Sequence, residues 1–513
     1  MKKKHFIFSV LVLGALCFVS LFVQADSKKK PNVILIQASD LGRGLLSAYG
    51  QKHFTTPNID VLINNGVSFA NAYGGSLSAY SRAALFTGHH DCNKGYWRIP
   101  NGGVYAFQDT VNIRERENIV DESSIFLSEN ELYLPQVFRK AGYVTGQIGK
   151  LGIGNVSTRQ QMIRYGWDYC YGFLDFNSSQ GYYPPFLFEN EQISIIEGNT
   201  RIDGGRSVSP ETELTYQDRW KMDGKKQYAP ALFLRKIIDF LHECKDFPFF
   251  LIYSTPLPHG PVSVPAVHPE VVNNDALTQV EKEYASMVKL LDEHIGIIMK
   301  ELQALNLDEN TMIVFTSDNG HNIHYLQYGR IDRPFVNYSI KELFDNLHNK
   351  YYSSVAGDVF NGNAGLAGLK YSNLEGGIRI PLTFYWKGKL HKGLREDIVS
   401  GYDFLPTMAD LLGIKLQSEK DGVSILSLLT KGKKLLKNRY VIIGSEEGPV
   451  IITNEGWKLR FYNQKKIYEL YNLKKDPEEK YNVILRFPEI AEKLKKTLLD
   501  ECEGKIENGI FYN

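Results

Sequence analysis

Apolar residues first gather between Phe6 and Val23, directly behind Lys2, Lys3 and Lys4, and the run closes on Val23-Gln24-Ala25. A basic start, an apolar stretch and small residues at a peptidase spacing predict a cleaved signal peptide over residues 1–25. Beyond it the apolar runs shorten. Val33-Ile34-Leu35-Ile36 ends at Ser39-Asp40, and Phe249–Tyr253 and Met312–Phe315 are runs of the same kind. Short unbroken apolar runs that stop at polar turns predict strands buried on both faces. Between the last two, Val280, Tyr284, Met287, Leu291, Ile295, Ile298, Leu302 and Leu305 recur at three- and four-residue steps and predict a long amphipathic helix. Thr56 as N-cap, Pro57 in the first turn and Gly66 as a stop predict a shorter helix.

Strand, helix, strand in that order predicts an α/β fold: a large mixed, mostly parallel sheet flanked by helices. After about Lys415 the rhythm changes. Tyr440–Ile443, Val450–Thr453 and Trp457–Tyr462 read as short strands and Pro488–Leu499 as a helix, so a catalytic unit over 26–415 and a smaller C-terminal α+β domain over 416–513 are expected. Segments 155–230 and 325–365 show no sheet rhythm and suit pocket-forming insertions.

With 513 residues and 43% hydrophobic content, the chain has enough apolar matter for one large core and a satellite. Its net charge of +1 turns slightly acidic once Lys2, Lys3 and Lys4 are removed, which excludes nucleic acid as the expected partner. No second apolar run is long enough to span a membrane, so the mature chain is expected to be exported, periplasmic or secreted, without stable membrane insertion. Four cysteines remain after cleavage: Cys92, Cys170, Cys244 and Cys502. None stands in a CxxC or zinc-ligand spacing; export permits pairing, and the sequence leaves the pairs open.

Polar residues gather at the expected carboxyl ends of separate strands: Asp40, the turn Ser78–Arg82, Lys150, His259, Asp318 with Asn319, and Lys370. Singly, each has a bland explanation: an Asp after a strand caps a helix, serines before a helix do the same, and lone lysines are solvated. Their joint order along the chain resembles the formylglycine-dependent sulfatases of the alkaline phosphatase superfamily, from Pro31 to about Asn482. The strand-end Ala38-Ser39-Asp40-Leu41-Gly42 is similar to the family's Asp-Asp-Leu-Gly turn. Ser78-Ala79-Tyr80-Ser81-Arg82, leading to Thr87-Gly88, is similar to its nucleophile motif. Gly149-Lys150, Pro258-His259, Ser317-Asp318-Asn319-Gly320, Lys370 and Glu375-Gly376-Gly377-Ile378-Arg379-Ile380-Pro381 follow in the family's order.

The resemblance implies an alkaline phosphatase-like fold and a sulfuric ester hydrolase. Ser78, Arg82, Lys150, His259 and Lys370 would be the catalytic set, and Asp40, Ser78, Asp318 and Asn319 would ligate one Ca²⁺, for which such hard oxygens are suited. In the family the nucleophile is a formylglycine made from Cys or Ser, which acts as its hydrate; a serine-derived one implies a maturase acting before export. The implied partner is a sulfated small molecule or glycan, and Tyr182-Tyr183-Pro184-Pro185-Phe186 offers aromatic surface for a sugar. His259 is the expected proton donor to the leaving alcohol, or a contact to the sulfate.

Three positions depart from the family pattern: Ser39 for a metal-binding Asp, Tyr80 for Pro, and Gly152 for His. Ser39 is expected to ligate through its hydroxyl or through water, and His321, or less directly His89 or His90, to stand in for the histidine. Two other readings use the same residues: a phosphoester hydrolase attacking with Ser78 itself, and a non-catalytic paralogue that binds sulfated glycans.

Overall fold

The computed structural model describes residues 30–93, 131–151, 158–174, 181–200, 221–325, 352–355, 357–433, 438–445, 447–463, 465–504 and 506, together with the backbone of 97–98, 126–127, 335–337 and 342–344. The expected signal peptide and Gly152 lie outside the described residues.

Ten strands form the main sheet: β1 (Asn32–Ala38), β2 (Val67–Tyr73), β3 (Val144–Lys150), β4 (Tyr169–Phe173), β5 (Phe186–Glu189), β6 (Gln192–Ile195), β7 (Phe249–Ser254), β8 (Thr311–Ser317), β9 (Leu382–Tyr385) and β10 (Gly393–Ser400). Their spatial order is β10-β2-β9-β8-β1-β7-β3-β4-β5-β6. The centre, β8-β1-β7-β3-β4, is parallel throughout, with Ile34 beside Ile313 on one flank and Leu251 on the other. β9 runs antiparallel to both β8 and β2.

Alternate residues of the central strands serve two cores. Ile34, Ile36, Leu251, Tyr253, Ile313 and Phe315 face one helix layer, while Val33, Leu35, Phe250, Ile252, Met312 and Val314 face the other. Burial on both faces is why these strands are apolar without alternation. The first layer contains α1 (Pro57–Asn65), α4 (Ala229–Cys244) and α5 (Gln279–Ala304); the second contains α2 (Ser78–Thr87), α3 (Leu134–Lys140) and α6 (Phe404–Leu412). Thr278 and Glu281 cap α5 reciprocally. Thr56 sits at the expected N-cap of α1, but its hydroxyl accepts from Ser47 N instead (3.0 Å). Asp292 of α5 accepts from Ile59 N (2.8 Å) and supplies the missing cap from across the helix pair.

The segment read as lacking sheet rhythm is corrected here: residues 169–195 contribute β4, β5 and β6 to one edge of the main sheet. β5 and β6 are four residues each, too short to show a period, and Asn190 turns the hairpin between them at φ 54°.

Four strands near the end, β11 (Tyr440–Ile443), β12 (Val450–Thr453), β13 (Trp457–Tyr462) and β14 (Ile467–Asn472), form an antiparallel meander. One face carries α7 (Pro488–Glu501), with Ile442, Ile451, Leu459 and Leu470 against Ala491, Leu494 and Leu498. The other face sets Val441, Ile443, Val450 and Ile452 against Tyr73, Ile378 and Tyr402 of the main body. A wholly buried charge cluster fastens this contact: Lys458 Nζ lies 3.0 Å from Glu375 and 2.9 Å from Glu479, and Arg460 pairs with Glu447 at 3.0 Å.

Candidate active site

The parallel strands β8, β1, β7 and β3 all end at one edge, the position where open α/β sheets bind ligands. β1 delivers Ser39 and Asp40, β8 delivers Asp318 and Asn319, β3 ends on Lys150, and the loop after β7 carries His259. The turn between β2 and α2 presses onto β8's turn: Gly75 N donates to Asp318 O (3.2 Å), and a Cβ on Gly74 would stand 2.3 Å from that carbonyl. That close approach sets Ser78, the first residue of α2, beside Asn319, with Oγ 3.4 Å from Oδ1. Leu77, the N-cap of α2, makes no side-chain capping bond, and the Ser78 hydroxyl donates to Asn319.

Asp40 is the hub. Held at φ 59°, it is fully buried, and its carboxylate accepts from Lys370 Nζ (2.8 and 2.9 Å), Asn319 Nδ2 (2.9 Å) and His324 Nε2 (2.8 Å). Burial works to raise its pKa, but His259, Lys370 and His324 outweigh that and hold it well below the usual carboxylate range. Asp318 accepts from Asp40 N at 2.9 Å and from Ser39 Oγ at 3.1 Å. Lys150 Nζ in turn donates to Ser39 Oγ at 2.6 Å, so the serine links an ammonium to the Asp318 carboxylate. Burial brings Lys150 down to about 7, with Arg82 and Lys370 pushing the same way and Asp318 and Asp40 opposing.

His259 gives Nδ1–H to Gly260 O (2.6 Å), which leaves Nε2 to accept from Lys370 (3.0 Å). Burial keeps the ring well below its ordinary pKa, so it is neutral. Tyr182 donates to the carbonyls of Pro256 (3.0 Å) and His259 (2.6 Å) and fixes that loop.

Arg82 lies one helical turn beyond Ser78 on the same face of α2. It is 1% exposed, and all three of its guanidinium nitrogens lack a hydrogen-bond partner among the described residues. Burial pulls it down to about 10, with Asp318 opposing. Buried guanidinium groups are normally paired. Five unsatisfied donors beside Lys150 and the start of a helix make a cradle for a multi-oxygen anion.

The eight residues singled out from the sequence thus converge: Asp40, Ser78, Arg82, Lys150, His259, Asp318, Asn319 and Lys370. His321 does not replace the missing histidine, because its ring turns to Tyr325 (2.8 Å) and Asp358 (3.6 Å). His89 and His90 belong to a separate cluster with Asp421 and Glu501. His324, not singled out from the sequence, joins the cluster through Asp40, its ring 4.8 Å from that of His259. A lone histidine in a polar stretch carried no signal. Tyr182 and Tyr183 are core residues rather than a sugar platform, and the Tyr80 ring packs into the core behind α2.

For a hard divalent cation, the Asp40 and Asp318 carboxylates and the Asn319 amide oxygen, with Ser78 beside it, are fitting donors. Asp40, His259 and His324 form a second set whose ligand atoms lie within 4.8 Å of one another. There Lys370 already supplies a cation, touching both Asp40 and His259.

The profile of the sulfatase family matches residues 31–414, and that of the N-sulphoglucosamine sulphohydrolase C-terminal region matches residues 370–504. The chain is 26% identical to an N-acetylgalactosamine-6-O-sulfatase of Bacteroides thetaiotaomicron, over 93% of this chain and 94% of that one. It is 26% identical to the human N-acetylgalactosamine-6-sulfatase, over 80% of this chain and 67% of the relative. A solved Bacteroides thetaiotaomicron protein, described with that organism's metabolism of multiple glycosaminoglycans, superposes with a TM-score of 0.68 at 22% identity, covering 93% of this chain and 100% of the other. With the family's profile spanning most of its length and the motifs assembled at one sheet edge, the chain belongs to the sulfatase family, hydrolases of sulfate esters.

Proposed function

We propose that this protein is an exported, periplasmic or secreted sulfatase that removes sulfate from a sulfated carbohydrate. The Arg82 guanidinium carries the reading: a buried fork of donors one turn from Ser78, without a hydrogen-bond partner among the described residues, fits the oxygens of a sulfate group. The carbohydrate class is supported by the relatives named for N-acetylgalactosamine sulfate esters.

In this reading Arg82 and Lys150 bind and orient the sulfate oxygens, and the start of α2 adds backbone N–H groups to them. The Lys370 ammonium gives the leaving alcohol its proton, and His259, whose Nε2 accepts from that ammonium at 3.0 Å, orients it. Tyr182 holds the loop that aims His259. Ser78 is the site of formylglycine formation by a maturase acting before export; when present, that group supplies a hydrated aldehyde, which is both nucleophile and exit route for sulfate. Asp40, Asp318 and Asn319, with Ser78, hold Ca²⁺, which supplies positive charge to the sulfate oxygens.

Peptide mass spectrometry of the protein from its native host is expected to show Ser78 converted, with sulfate released from sulfated N-acetylhexosamines and activity lost to a chelator and restored by Ca²⁺. Unmodified Ser78 in every molecule, together with full sulfatase turnover, would sink the formylglycine assignment. Absence of sulfate release by converted, Ca²⁺-loaded protein would sink the activity.

A further inference from the structure

Two cysteines far apart in sequence meet outside the active site. Cys92 follows α2 by a short loop, and Cys502 is the C-cap of α7. Cys92 packs against the cluster of Ala491, Leu494, Leu498 and Cys502.

The surrounding contacts hold the two segments in register. His90 Nε2 lies 3.3 Å from Glu501, Gly444 N donates to Asp91 at 2.5 Å, and Tyr440 donates to Glu501. The other two cysteines are placed differently. Cys170, on β4, is buried in one core and Cys244, ending α4, in the core on the opposite face of the sheet.

We infer that Cys92 and Cys502 form a disulfide that staples the end of α7 to the loop following the Ser78 helix. The inference rests on export for its oxidising compartment. The oxidant is a disulfide, either a small-molecule one or that of a thiol–disulfide oxidoreductase. One cysteine thiolate attacks it, forming a mixed disulfide and expelling the oxidant's second sulfur as a thiolate. The other cysteine then attacks the mixed disulfide, closing the Cys92–Cys502 bond. The oxidant leaves as two thiols, having taken up two electrons and the two protons the cysteines lose. The neighbouring Cys92 thiol holds Cys502 below its usual range against burial, with His90 adding to it, which favours the attacking thiolate.

The test has two arms. Full-length protein made in a bacterial host is alkylated before reduction and mapped by peptide mass spectrometry. Separately, protein purified reduced from cytosol is exposed to oxidised glutathione and mapped in the same way. A linked Cys92–Cys502 peptide in both arms, with Cys170 and Cys244 alkylated only after denaturation, is expected. The C502S variant should lower the melting temperature of the oxidised protein by several degrees and leave that of the reduced protein close to wild type. Exported protein with both thiols alkylated, no linkage on oxidation, or linkage to Cys170 or Cys244 overturns the inference. Linkage on oxidation with residues 1–25 retained and the protein in the cytosol supports the pair and sinks export instead.

Discussion

Replacing Arg82 with Met separates two properties that usually move together. Burial pulls the guanidinium well down from its ordinary value, to about 10, a shift worth about 3 kcal/mol at roughly 1.4 kcal/mol per unit. Because Arg82 is charged in both folded and unfolded chains at neutral pH, that penalty is fully present there. It is relieved only as pH climbs above about 10. Methionine fills similar space without charge, so the ligand-free Arg82→Met protein should be more stable than wild type by about 1–3 kcal/mol, the lower value allowing for imperfect packing. The same change removes donors aimed at the sulfate, and kcat/KM should fall by at least about 10²-fold. Thermal unfolding with and without inorganic sulfate checks both. Wild type should gain about 3 kcal/mol at saturating sulfate, near 100 times its Kd, and Arg82→Met almost nothing. A variant that melts well below wild type, or that keeps the sulfate response, would show that Arg82 serves the fold and not the anion.

Tyr182→Phe removes the hydroxyl that two loop carbonyls share; a stability loss of about 1–2 kcal/mol and a fall in kcat larger than the change in KM are expected from denaturation and steady-state kinetics. Lys458→Met leaves Glu375 and Glu479 buried without their cation, and equilibrium unfolding should register a loss of about 3–5 kcal/mol. Asp91 is raised to about 7 by burial, against the Gly444 hydrogen bond. A carboxyl raised on folding contributes stability below its unfolded pKa of 3.8 and loses it as pH rises through about 7. Asp91→Asn should therefore match wild type near pH 4 and exceed it by up to about 4 kcal/mol above pH 7, read as a melting-temperature difference that grows with pH.

The central strands were legible because both faces are buried, which writes an unbroken apolar run at β1, β7 and β8. The long helix was legible for the complementary reason, one buried face at helical spacing. What escaped notice was short or dependent on distant partners. The β5–β6 hairpin is too brief for a period. The α1 cap comes from Asp292, far along the chain, so the local Thr56 signal pointed to the right place and the wrong side chain. At the site, motif order identified the residues that touch Asp40 or lie beside them, except His324, whose neighbour His321 looked equally suitable. Tyr182 and Tyr183 looked like a sugar platform because composition records aromatic content without recording which way the rings face.

The buried cluster at Lys458 sets an order of events. The turn at Glu375 abuts the Asp318 turn, where Gly320 N donates to Gly377 O at 2.8 Å. Glu375 is itself anchored by Lys458 and by Glu479, whose carboxylate accepts from Glu375 N at 2.7 Å. Those anchors follow Ser78 in the chain and so leave the ribosome after it. A growing chain therefore presents Ser78 while the turns that enclose it still lack their fastening. The late position of the clamp in the chain thus leaves the Ser78 turn without its fastening until Lys458 and Glu479 have followed.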